Sequence, residues 1–116
     1  MNPLFLILSL GGSIFCLAGY IQKKYPPKKI NHLYGYRTQR SMKNIEVWNF
    51  AQKHAAQEMI KMGIIILLMA FLSWFFGIES YLGVWIGIGI LTAFPLFMFW
   101  QIESLLKKKF SEDKKS

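Results

Sequence analysis

The sequence predicts an all-α integral membrane protein: three transmembrane helices, with an amphipathic cytoplasmic extension before the second. Three observations carry this. Apolar residues make up 53% of the 116-residue chain and aromatics 16%, above the roughly half apolar expected of a soluble domain. They gather in three blocks, residues 3–21, 59–78 and 81–102, each near the ~17 to 25 residues that a spanning helix needs. Apart from Lys61, whose long stem can snorkel to the surface, every Lys and Arg lies outside those blocks. At this length the chain is one membrane domain, divided by a loop at 22–58 and closed by a basic tail at 103–116.

The first block has no Lys or Arg ahead of it; Lys23 and Lys24 follow it. That order is the reverse of a secretory signal, so a retained helix is expected. Cys16 in "SIFCLAG" follows Phe15, where lipoprotein processing wants a small residue, and a single cysteine builds no disulfide framework. Gly12, Cys16 and Gly19 recur at i, i+4 and i+7, a small-residue face suited to close helix packing.

Residues 22–33, "QKKYPPKKINHL", leave that helix through Pro26-Pro27, which cannot continue it. Ser41 and Asn44 are both good helix caps, and Glu46 adds an acid to a first turn, so a helix should begin there. Trp48, Ala51, Ala55, Met59 and Met62 fall on one face and Asn49, Lys53, Gln57 and Lys61 on another. An unbroken helix from 45 to 78 would be about 50 Å long against a hydrocarbon core of about 30 Å. Its first turns are therefore expected to project into the cytoplasm or bend along the membrane surface.

The second block repeats small residues at heptad spacing, Gly63, Ala70 and Gly77, and the third has Gly83 and Gly87 one turn apart. "GVWIGIGI" resembles a dinucleotide loop only in its glycines; no strand precedes it and no polar phosphate site follows, so these too read as packing residues. Pro95 withholds a backbone donor inside the third helix. Tyr20, Tyr25, Tyr81, Trp85 and Trp100 lie where amphipathic rings anchor helix ends. The tail "KKKFSEDKKS" reads as a disordered topology signal.

The net charge of +8 is explained by where the charges fall. Nine basic residues lie between the first block and Lys61 inclusive and five follow the third block, with none around Glu79. Basic loops stay in the cytoplasm, which orients the chain with its N-terminus outside and its C-terminus inside. Membrane flanking accounts for the charge without nucleic acid.

Catalytic constellations are missing from the pattern. His32 has no partner at readable spacing. His54 and Glu58, at i and i+4, could supply two ligands of a metal site, but such pairs are ordinarily solvated surface contacts. No ionisable group sits mid-span to relay a proton. No metal, cofactor or enzyme activity is expected.

The segment "NHLYGYRTQRSMKNIEVWNFAQK" stands out. Tyr34, Gly35, Tyr36 and Arg37 put two rings, a flexible backbone and a guanidinium within four residues, and Arg40 and Lys43 follow. Physically this suits either an interfacial clamp or a plain topology-setting loop. The segment resembles the signature of the SdpI family of bacterial membrane proteins at Asn31, Gly35, Tyr36, Arg37, Thr38, Ser41, Trp48 and Ala51, with Gln52 where many members have Asn. The resemblance implies a multi-pass protein of the bacterial cell membrane, of the immunity type, that protects against a membrane-attacking toxin. On that basis Arg37 is expected to hold an anionic group or helix end, Ser41 to cap, and Trp48 to fix the amphipathic helix at the interface. The expected partners are the lipid bilayer and a peptide toxin. The alternative is a membrane-anchored adaptor that recruits a cytoplasmic regulator through the basic loop, a signalling role. The small-residue faces at Gly12, Cys16, Gly19, Gly63, Gly83 and Gly87 permit helix association without specifying an oligomeric state.

Overall fold

Each apolar block becomes the heart of one helix. In the computed structural model, which describes residues 3–31, 33–76 and 80–115, with side chains as far as residue 110, the helices are α1 (Pro3–Lys24), α2 (Ile45–Trp74) and α3 (Ser80–Lys115). All three are long and apolar enough to cross a membrane. Only 22%, 33% and 11% of their most apolar stretches are buried in the bundle. Leu10, Ile14, Leu17, Leu68, Phe71 and Phe97 all point outward. An exterior of that kind is stable in hydrocarbon and would aggregate in water, so the chain is a multi-pass membrane protein.

The helix ends follow local chemistry. Lys23 and Lys24 occupy the last turn of α1, where cations oppose the helix dipole. Asn44, not Ser41, caps α2: its extended backbone lets the side-chain oxygen accept the Val47 N–H at 2.9 Å. At the other end the Phe75 N–H turns back to the Leu72 carbonyl at 3.1 Å, so α2 stops at Trp74, short of the expected 78. Gly77, Ile78 and Glu79, placed by the sequence reading in the second span and its exit, lie outside the described residues, as does His32.

One further expectation is corrected. The stretch 103–115 is helical, because Leu106 is fully buried and Phe110 packs edge-on against Phe50 with centroids 5.5 Å apart. Of the two arrangements expected for the first turns of α2, a bend away from the rest of the helix is not seen. These turns continue unbroken into the apolar part and pack Val47, Ala51 and Ala55 against Ile102 and Leu106 of α3.

α1 and α2 run antiparallel at very close range. A Cβ built on Gly63 would lie 2.7 Å from both the Gly12 carbonyl oxygen and the Cys16 nitrogen, and one on Gly19 would lie 2.9 Å from the Ala56 oxygen. Only glycine allows the two backbones to approach this far. α3 runs parallel to α1, with Gly83 over Leu4 and Gly87 over Ile7, while Gly89 faces open space. Two apolar cores result. One joins Leu4 and Leu8 to Ile66 and Ala70; the other is the α2–α3 cluster beneath the loop.

Candidate functional site

The loop between α1 and α2 is held to all three helices by side-chain hydrogen bonds. It leaves α1 through Pro26-Pro27, and the buried Trp48 indole N–H donates to the Pro27 carbonyl at 2.7 Å. Trp48 is fully enclosed, so it staples the loop to α2 from within, in place of the expected position at the membrane interface. Asn31 forms an Asx-type turn: its side-chain oxygen accepts the Leu33 and Tyr34 N–H groups at 2.9 and 2.8 Å.

Gly35 then turns with φ of +101°, a conformation that L side chains rarely adopt. Its missing Cβ makes room for the amide of Gln52, which would otherwise lie 2.5 Å away. The Gln52 side chain enters this space. It accepts from the Tyr36 N–H at 2.6 Å and from Gln22 Nε2 at 3.0 Å, and donates to the Tyr36 carbonyl at 2.7 Å. Gln22 and Gln52 are both buried, so this amide pair fastens the end of α1, the loop and α2 together.

Ser41 closes the next turn. Its hydroxyl donates to the Tyr36 carbonyl at 3.0 Å and accepts the Thr38 N–H at 2.8 Å, while its own N–H donates to Thr38 Oγ1 at 3.0 Å. Ser41 thus caps a loop turn and not α2. From this turn two hydroxyls reach α3: Tyr36 at 2.7 Å and Thr38 at 2.8 Å both donate to Glu103 Oε2. Arg40 Nε lies 3.6 Å from Glu103 Oε1, a partly exposed pair worth little in energy. Burial, then the bond to Glu103 and its negative charge, push the Tyr36 hydroxyl above the ordinary tyrosine value, and Thr38 offsets this only in part.

Of the residues singled out by sequence, Gly35, Tyr36, Thr38, Ser41, Trp48 and Gln52 form this latch. Ala51 lies below it in the α2–α3 core, and Asn31 shapes its approach. Arg37 is exposed on the loop, and Gln39, Arg40, Lys43 and Glu103 line a polar hollow of about 370 Å³ beside it. Gly12, Cys16, Gly19, Gly63, Gly83 and Gly87 belong to helix packing, away from the latch. His54 is stacked on Phe50 with centroids 4.2 Å apart, and its Nδ1 is buried without a partner, so it is not the solvated surface residue expected. Among the described residues no group of three His, Cys, Asp or Glu could hold a metal.

Glu103 and Gln22 were not singled out by the sequence reading. Each left a faint trace: Glu103 is a lone acid between apolar α3 and three lysines, and Gln22 is an amide at the end of an apolar run. Neither trace names a partner.

The pattern of the SdpI/YfhL protein family matches residues 28–104, more than half of the chain. The chain belongs to the SdpI/YfhL family. The SdpI/YfhL match begins in the loop and ends just past Glu103, so it holds every member of the latch except Gln22 and the Pro27 carbonyl. Within the family, the "Uncharacterized protein YfhL" of Bacillus subtilis (strain 168) is 44% identical over 63 residues, which cover 54% of this chain and 57% of that relative. No solved structure matches this SdpI/YfhL chain.

Proposed function

We propose that this chain is an immunity-type protein of the bacterial cell membrane that protects its host from a membrane-attacking peptide toxin by binding it in or at the bilayer, without enzymatic chemistry. The observation that carries this reading is the latch itself. A loop fastened to α2 and α3 through Gln52, Trp48 and Glu103, and by way of Gln52 to Gln22 of α1, is pre-organised, and it holds exposed Arg37 in a defined place. Pre-organised charge binds with little ordering cost. The family membership supports the same reading. The charge asymmetry supports a topology with the loop and the end of α3 on the cytoplasmic side and the start of α1 outside.

A second reading is favoured by the exposed edge of Arg37, Arg40 and Lys43. Such an edge suits an acidic cytoplasmic regulator, with the helices as anchor. One experiment separates the two: survival of a toxin-sensitive bacterial host that expresses the chain or its Arg37→Ala variant, challenged with membrane-active peptide toxins. Protection by the wild type and its loss in Arg37→Ala, at equal membrane insertion, is the outcome for immunity. Absence of protection against every toxin would reject immunity and favour the regulator. Full protection by Arg37→Ala would reject the role given to Arg37.

A further inference from the structure

α2 and α3 touch beneath the loop and meet again through α1 at the far end, but they part in between. The gap is a cleft of about 390 Å³ to which α1 contributes no lining. Ile65, Phe94 and Phe97 wall its deep part, and Glu58, Lys61 and Gln101 edge its mouth. Pro95 lies in the same stretch of α3, where it cannot donate to the carbonyl one turn back.

The depth of the cleft follows from the α1–α2 register. Ile60 lies against Gly19, and Gly63 lies against Gly12 and Cys16. Glu58 and Lys61 are therefore level with the last apolar turns of α1, just inside Lys23, while Ile65 lies deeper. A polar mouth at the edge of the hydrocarbon and an apolar floor within it match an amphiphile standing upright in the bilayer.

Polarity and charge narrow the occupant. Ile65 and Phe97 in the floor of the cleft are exposed towards the hydrocarbon, which suits an acyl chain. At the mouth an acid and a base stand one turn apart on α2. Among the described residues the side chains of Glu58, Lys61 and Gln101 have no hydrogen bond or ion pair to protein. An anionic lipid would satisfy Lys61 and repel Glu58; a zwitterionic headgroup satisfies both. We propose that this cleft binds one aminophospholipid, its phosphate held by Lys61 and Gln101, its ammonium by Glu58, and an acyl chain lying against Ile65, Phe94 and Phe97.

The test uses the full chain in a non-ionic detergent, offered equal phosphatidylethanolamine and phosphatidylglycerol of the same acyl chains, with bound lipid read by native mass spectrometry. The wild type should retain one phosphatidylethanolamine with about tenfold preference, the size expected of one charged contact. Glu58→Gln with Lys61→Gln should erase that preference, and Ala93→Trp, which fills the cleft, should cut retention of the lipid about tenfold. Helix melting by circular dichroism checks that each variant is folded; should Ala93→Trp fail to fold, the charge-pair variant decides alone. Equal retention of the two lipids by the wild type, or a preference unchanged in the charge-pair variant, would overturn the proposal. So would wild-type retention in a folded Ala93→Trp variant.

Discussion

Gln52 and Tyr36 bond each other twice, the amide of one gripping the backbone of the other: Tyr36 N–H to Gln52 Oε1 at 2.6 Å and Gln52 Nε2 to the Tyr36 carbonyl at 2.7 Å. The paired bonds imitate one rung of a β-ladder, supplied by a helix side chain to a loop. They orient Tyr36 so that its hydroxyl meets Glu103 on the third helix.

Replacing Gln52 by Leu keeps its approximate volume and removes both bonds. The Tyr36 N–H is then left without its partner in a half-buried place, at a cost of about 2 to 3 kcal/mol. A fall in the helix melting temperature in detergent, with loss of loop protection in amide hydrogen exchange, is the expected result. Unchanged exchange at residues 35–41 would show that the loop is held by other means.

Gly35→Ala should be as damaging, for a different reason. The backbone angle of +101° strains any L side chain, and the new methyl would meet Gln52 Oε1. Together these cost at least about 2 kcal/mol. Gly89→Ala is the control: nothing lies within 4 Å of its would-be Cβ. That variant should be neutral or gain up to about 1 kcal/mol from helix propensity. The two melting curves, compared in one detergent, check both.

Gly63→Ala should force α1 and α2 apart: the Cys16 sulfur, its nearest obstacle, can turn aside, but the Cys16 nitrogen and Gly12 carbonyl oxygen just behind it are backbone atoms that cannot rotate away. A loss of about 1 to 3 kcal/mol is expected, measured by thermal melting. Gly87→Leu should cost less per atom added, because its neighbour is the side chain of Ile7. If Gly63→Ala melted with the wild type, the close contact would not be limiting.

Tyr36 supplies a pH dependence. Its folded value is raised above the ordinary value of about 10, so the folded state holds this proton where the unfolded chain releases it. The contribution of Tyr36 is therefore complete below pH about 10 and is lost as pH rises above it. Difference spectra of wild type minus Tyr36→Phe should show no tyrosinate signal through pH about 10. Glu103→Gln removes the charge that helps to raise the value, so in that variant the signal should emerge at lower pH.

Much of the architecture could be read from composition alone, and the reason is the solvent. A bilayer demands about 20 apolar residues per crossing, a signal too long to arise by accident. The start of α2 was legible for a similar reason: Asn44 acts within one turn of itself. The tail of α3 was misread because lysines suggest a solvated coil, while Leu106 and Phe110 find α2 beneath them. Trp48 was misplaced by the same kind of inference. A tryptophan near a membrane edge suggests headgroups, yet its indole is enclosed by the loop that follows α1.

The order of residues along the chain was enough to establish three membrane helices, their small-residue faces, the cap of α2 and the segment that carries the family signature. All depend on neighbours a few positions apart. Folding alone brings Glu103 beneath Tyr36, 67 positions away in sequence, and Gln22 to Gln52, 30 positions away. A carboxylate or an amide oxygen accepts a hydrogen bond from any donor within reach. Which donor that is depends on the register at which Gly12 and Gly63 let the helices close.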